Sequence, residues 1–453
     1  MYFKSNIEMF IDDALIDTKK NVSLKLHSPV KKEKVITFDK AYEGITSCYI
    51  TVLKFNGKYF MYYRGHTRYT KEKKVDYAYT CIALSEDGIT FYKPNLNIIE
   101  SNGNTNNNII LKDKEVCHNF TPFVDSNPNC NENAKIKAVG GHKKLGVNKA
   151  LLYGLYSNDG IHFTKIQEQP ILTEGMFDSQ NVVFFDNIIN KYRCYSRYFE
   201  NGHLKNPEAY HGIRAIQSCT SYDFFKWDKN IKNKYNITIN DEFYTNATVL
   251  VPNTNIYLSF PNRYVSDRNR DFYNSADHGV SDCMFISSRD GINWNRSFLQ
   301  TYVRPGLDRK NWINRNNMMG LGIVETSEHE FSMYMSENYR TDTSGVRRLS
   351  IRKYGFASLH ANFNKGSVLT KPFKYEEGEL YINYSTSAVG YVIIHVLDTN
   401  KNILASSKEI YGDEIFEKVV FNNDIKKYKD SHIRLLIELK DSDLYAFVFG
   451  KDE

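Results

Sequence analysis

An all-β fold, a five-bladed β-propeller followed by a C-terminal β-sandwich, is what the chain of 453 residues predicts. Three observations lead there. A turn of the form Ser-x-Asp, followed by Gly in three of its four copies and ending on an aromatic, recurs as SEDGITF (85–91), SNDGIHF (157–163), SYDFFKW (221–227) and SRDGINW (288–294). The steps are about 70 residues, which is the size of a propeller blade. Between these turns the chain reads as short apolar runs joined by Asn- and Gly-rich turns, with almost no helical periodicity. Aromatics make up 14 % of the residues, with 33 Tyr and 28 Phe, a bias that favours strands over helices.

The other bulk properties narrow the function. Fifty-nine basic and 53 acidic residues leave a formal charge of +6. So weak a polycation suggests no nucleic-acid partner. Seven cysteines with no Cys-x-x-Cys pair read as reduced core residues. The first residues, MYFKSNIEMFIDDALID, contain no apolar signal region, and no run reaches the length of a membrane span. A cytoplasmic protein without a membrane partner is expected. No cofactor or metal ligand set is expected, and the oligomeric state is not legible.

Taken in order, the first 40 residues carry two strand-like pieces, MFIDDALID and VSLKLHSPV. Each blade then comprises four strands, A to D, with the Ser-x-Asp-Gly turn between C and D. Ser and Asp cap backbone N–H groups there, Gly takes φ > 0, and the aromatic packs between blades. Strand A is expected at Thr46–Phe55, Phe120–Asp125, Asn181–Asp186, Ala247–Pro252 and Met318–Glu325. The fifth blade lacks its turn and its D strand, and VSLKLHSPV is expected to supply the missing strand and close the ring. The propeller domain would span 1–354. From 355 to 453 alternating strands without the blade motif predict the β-sandwich, an accessory domain.

The stretch from Phe177 to Arg197, FDSQNVVFFDNIINKYRCYSR, shows the functional logic of a blade. A hairpin brings its open ends together, so Asp178 and Arg197 should share one edge. Because antiparallel strands alternate direction, the starts of A and C and the ends of B lie on one face. Those places hold Glu43, His118, Asn119, Asp178, Asn246, Arg315 and Asn316; then Arg64, His142, Arg197, Arg263 and Glu337; then Asp76, Arg214, Asp282 and Arg347. Four acids from different blades, Glu43, Asp178, Asp282 and Glu337, are thus expected near a central channel. Each could instead cap a turn or pair with an arginine, but their convergence favours a site.

Two inward carboxylates flanking a sugar are the requirement for glycoside hydrolysis: one donates a proton to the leaving oxygen, the other is base or nucleophile. Arg64, His118, Asn119, His142, Arg197, Arg214, Asn246, Arg263 and Arg315 would bind hydroxyl, carboxylate or sulfate groups of the substrate. The number of arginines hints at an anionic sugar.

The hairpins YEGITSCYITVLKFNGKYFMYYRG, HNFTPFVDSNP, FDSQNVVFFD and VSDCMFISSRDGINW, and the tail pieces TKPFKYEEGELYINYSTSAVG and DSDLYAFVFG, resemble bacterial proteins related to the five-bladed propeller glycoside hydrolases. These include glycoside hydrolase families 32 and 43, the former with an attached β-sandwich, and a largely uncharacterised bacterial group whose likeness covers nearly the whole chain. The resemblance implies three channel acids: a nucleophile or base, a general acid and a tuning residue. By position it implies Glu43 for the first and Asp178 for the second, or the reverse, with Asp282 or Glu337 tuning them. The chain departs from the family pattern in having Glu43 where Asp is usual and in lacking Arg-Asp-Pro. A glycosidase acting on an oligo- or polysaccharide, anionic or furanose-containing, is the leading expectation. A non-catalytic glycan-binding propeller, a phosphorolytic variant and a channel holding a structural cation are the alternatives.

Overall fold

The computed structural model describes residues 6–66, 78–143, 149–201, 212–239, 241–266, 268, 279–313 and 317–450. Among them the fold is all-β, with three single-turn 3₁₀ segments and no α-helix. No helix is long and apolar enough to cross a membrane. All seven cysteines are free of disulfides, and six of them are buried. The chain separates into two compact units, one of residues 29–250 with 257–350, the other of residues 1–28, 251–256 and 351–453. This division departs from the expected one, since residues 1–28 join the C-terminal residues.

The larger unit is a succession of antiparallel sheets. Cys48–Phe55, Lys58–Gly65, Tyr79–Ser85 and Ile109–Leu111 form the first sheet, and Thr121–Val124, Ile136–Lys143, Lys149–Ser157 and Thr164–Lys165 the second, to which Leu172–Glu174 adds. Val182–Asp186, Lys191–Glu200, Ile213–Ser221 and Ile231–Lys232 form the third. In the fourth region the two middle strands are interrupted. Tyr257–Ser259 and Ile286–Ser288 pair with Val249–Leu250 and Asn293–Asn295, while Asn262–Val265 and Val280–Cys283 pair with each other and with Glu242–Phe243. Pro261, which has no N–H to give a ladder, lies at the interruption.

The last sheet orders Val324–Glu325, Glu330–Glu337, Gly345–Arg352 and Val30–Thr37. An N-terminal strand therefore completes it, but one strand later than VSLKLHSPV. Ser23–Leu26 pairs with Ala357–Ala361 in the smaller unit instead. The apolar side chains explain the choice. Leu24 packs against the cluster of Leu359 and Val368, whereas Ile36 joins Val346, Tyr63 and Phe38.

The Ser-x-Asp turns stitch neighbouring sheets together. In each, the Ser Oγ accepts from the two following turn N–H groups and the Asp Oδ1 from the next two, as at Ser157 and Asp159. The fourth turn position has positive φ: Gly88 +72°, Gly160 +77°, Phe224 +69° and Gly291 +76°. A tyrosine of the preceding sheet donates to the glycine carbonyl, Tyr62 to Gly160 and Tyr195 to Gly291, and Tyr334 of the last sheet donates to Gly88. The trailing aromatics pack edge-to-face against the same tyrosines, Phe163 against Tyr62, Trp294 against Tyr195 and Phe91 against Tyr334.

Burial opposes ionisation of Asp159, but the His162 ring, the N–H groups of His162 and Ile161 and the Ser157 hydroxyl outweigh it and hold the carboxyl down at about 2. The depressed value means that its stabilisation is complete above the unfolded-chain value of about 4 and disappears as pH falls toward about 2. Melting curves of wild type and Asp159→Asn should thus differ near neutrality and converge by about pH 2. A gap that does not depend on pH would refute the capping role.

The smaller unit is one ten-stranded sheet built around two 19-residue strands, Glu379–Leu397 and His432–Gly450. Their pairing shifts register between Asn383 and Tyr384 and between Thr386 and Tyr391. Leu359, Val368, Leu380, Ile382, Val392, Ile394, Ile437 and Leu439 form the core.

Candidate functional site

Four of the candidate residues, Arg64, His118, Arg197 and Arg214, gather around a pair of tyrosines supplied by distant parts of the chain. Between Cys48 and Thr51 the first strand shifts register against Lys58–Gly65, and Tyr49 takes φ +57°. A bulge of this kind re-aims a side chain, and positive φ is unusual for a bulky residue. The Tyr49 hydroxyl lies 3.0 Å from that of Tyr244, and both rings are buried.

Guanidinium groups stack on both rings. Arg64, opposite Cys48 in the ladder, lies over Tyr49 at 4.7 Å, and its terminal nitrogens donate to the Thr46 carbonyl at 2.7 Å and face the His118 ring at 3.0 Å. Arg197 lies over Tyr244 at 5.2 Å and Phe199 at 5.3 Å and donates to Asp178. Asp178 and Arg197 do share the open end of one hairpin, where Met176 bridges Arg197. Arg214, paired with Phe199 in the next strand, lies 5.6 Å from Phe199, 6.0 Å from Tyr244 and 4.7 Å from Tyr264, and donates to Glu242 at 2.6 Å. The Asp178 and Glu242 side chains are 23 % and 16 % exposed.

Two other predicted acids are locked in bidentate pairs. Arg263 and Asp282 face each other across one ladder rung with N–O distances of 2.9 and 2.7 Å. Arg347 holds Glu337 at 2.8 and 2.7 Å, and Lys34 stands 3.6 Å away.

Glu43 differs from the rest. It is 0 % exposed, and its carboxylate accepts from Tyr63 at 2.6 Å, Lys93 at 2.6 Å and the Lys40 N–H at 3.0 Å. Asn119 is also enclosed: it donates to the Phe177 carbonyl and accepts from the Gly141 N–H at 2.7 Å, joining the second sheet to the third. Asn246 accepts from the Thr248 N–H, while its buried Nδ2 has no hydrogen-bond partner. His142 is half-buried opposite Leu151. Arg315, Asn316 and Asp76 lie outside the described residues. Among the described residues no three His, Cys, Asp or Glu side chains are grouped to hold a metal ion.

The sequence pattern missed Tyr49, Phe199, Glu242, Tyr244 and Tyr264. Glu242 had a usable signal: it stands just ahead of Asn246, much as Asp178 stands just ahead of Asn181. Tyr49 had none, because it occupies an ordinary strand position until the bulge turns it.

No family model matches the chain, and no curated protein matches it. Solved structures similar to it include a glycoside hydrolase, at 11 % identity over 72 % of this chain and 92 % of that one, with a TM-score of 0.47. Another is the α-L-arabinanase of Penicillium chrysogenum complexed with arabinobiose, at 10 % identity over 72 % and 99 %, TM-score 0.44. A third is an N-acetylgalactosamine deacetylase from F. plautii in complex with blood group B trisaccharide, at 12 % identity over 94 % and 95 %, TM-score 0.43. Glycoside hydrolases, the group that the sequence resembles, are thus among the similar solved structures.

Proposed function

We propose that this protein is a glycoside hydrolase. In this reading the sheets of the larger unit are the five blades of a β-propeller, and the smaller unit, with residues 355–453 at its centre, is an accessory β-sandwich. Asp178 and Glu242 are the working carboxylates. The observation that supports this pairing is that both are partly exposed, and that the arginine of each stacks on the same two rings, Phe199 and Tyr244. Two carboxylates arranged around one aromatic floor can flank a glycosidic bond. One protonates the leaving oxygen and the other attacks the anomeric carbon or activates water. Asp282 and Glu337 shape the rim through their arginines, and Glu43 positions the first blade from beneath.

A non-catalytic glycan-binding propeller is the second reading. It is favoured by the pairing of every predicted acid among the described residues with a cation. Product release from a panel of neutral, uronic and sulfated oligosaccharides separates the two. Wild type should release product and Glu242→Gln should lose roughly 10²-fold or more in turnover. A glycan that raises the melting temperature of both proteins without product would establish the binding module instead.

A further inference from the structure

Five arginines are buried among the described residues: Arg64, Arg193, Arg197, Arg296 and Arg348. Four face a carboxylate, Arg193 that of Asp186, Arg197 that of Asp178, Arg296 that of Asp241 and Arg348 that of Glu33. Arg64, only 3 % exposed, pairs with no carboxylate among the described residues. Its partners are the Thr46 carbonyl, the Cys48 sulfur at 3.1 Å, the His118 ring and carbonyl and the Tyr49 face, and its Nε is buried without a hydrogen bond. A buried cation without a countercharge is costly, since dipoles and rings only partly replace the water it has lost.

The described surroundings do not supply the missing charge. Three guanidiniums, Arg64, Arg197 and Arg214, stack on Tyr49 and Tyr244, whose hydroxyls meet, against the two carboxylates Asp178 and Glu242. Among the described residues one positive charge is in excess. Arg197 and Arg214 likewise leave their Nε atoms buried and unpartnered. Of the residues that touch the Arg64 guanidinium, His118 is the one that is partly exposed, so it marks the way in from solvent.

We propose that the missing countercharge comes with the ligand: Arg64, reached past His118, anchors an oxyanion, either a carboxylate or sulfate carried by an acidic glycan or a free phosphate. For the glycan this rests on the hydrolase reading and names its substrate class. Planar guanidinium groups suit all three oxyanions, and the pairing gains strength from the low-dielectric surroundings.

The test is binding to the full chain, read by calorimetry and melting temperature. The probes are a galacturonic acid trisaccharide, the same trisaccharide with its carboxyls reduced, a sulfated disaccharide and inorganic phosphate. Wild type should bind an acidic saccharide, or phosphate, roughly 10- to 100-fold more tightly than the reduced one, with affinity falling as KCl rises. Arg64→Met should lose that preference while melting at or above the wild-type temperature, because it removes an uncompensated charge. Response to phosphate alone identifies the free anion as the source; response to the saccharides alone identifies the glycan.

Equal binding of acidic and reduced saccharides by wild type, with no response to phosphate, overturns the proposal, as does an Arg64→Met protein that keeps the preference. A large fall in melting temperature for Arg64→Met also overturns it, by showing the cation to be satisfied where it is. Hydrolysis of the reduced saccharide with no anion preference would leave the hydrolase reading standing alone. Acidic-saccharide binding without product would do the reverse.

Discussion

Asp178→Asn should lower turnover by roughly 10³-fold while leaving the protein folded. The two effects can be weighed separately. Asn keeps an oxygen that can accept from Arg197, so the hydrogen bond survives and only its charge is lost. Weakening a charge-assisted bond costs on the order of 1–2 kcal/mol, against a typical total stability of about 5–15 kcal/mol, so most molecules stay native at 25 °C. A 10³-fold fall in rate is about 4 kcal/mol of transition-state stabilisation. The catalytic loss therefore exceeds anything that partial unfolding could produce. Turnover per folded molecule, with the folded fraction read by circular dichroism, is the measurement. A variant within tenfold of wild type would remove Asp178 from the chemistry.

The second large effect is on stability, at Glu43. Truncation to Ala leaves the Lys93 ammonium, the Tyr63 hydroxyl and the Lys40 N–H without their shared acceptor, in a place from which the carboxylate was wholly excluded from water. Loss of one member of a buried pair costs at most about 3–5 kcal/mol, and here Asp39 at 2.9 Å and the Thr37 carbonyl at 2.8 Å continue to hold Lys93. Denaturant unfolding should show a loss of that order for Glu43→Ala. Glu43→Gln combined with Lys93→Met should recover part of it, because both charges leave together. Rate per folded molecule should change little. A Glu43→Gln protein of full stability and no activity would return Glu43 to the catalytic role that the family resemblance implies.

Asp178 and Glu43 illustrate how far a linear pattern reaches. The sequence shows both as acids at the head of a first strand. Asp178 meets its arginine within one hairpin, through contacts at short sequence separation, and two strand-like runs, Val182–Asp186 and Lys191–Glu200, joined by a short turn are enough to place the two together. The same holds for Arg263 with Asp282 and Glu337 with Arg347, each a neighbouring-strand pair. Glu43 is decided by Lys93, which lies beyond the third strand and the Ser-x-Asp-Gly turn. No spacing rule announces that a lysine 50 residues away will reach back and seal the acid in.

Local chemistry in the chain determined the strands, the Ser-x-Asp turns with their positive-φ positions and the acid–arginine pairs at the open ends of hairpins, because each depends on residues adjacent in sequence or across one ladder. Tertiary structure alone decided which N-terminal strand completes the last sheet, since Ser23–Leu26 and Val30–Thr37 are both strand-forming and only their pairing partners separate them. It alone brought Tyr49 to Tyr244 across 195 residues, by a bulge that costs local strain and is held by packing around it. It also left Arg64 as the one buried arginine among the described residues without a carboxylate, for charge compensation is a sum over every neighbour in space, and the sequence orders those neighbours by chain position instead.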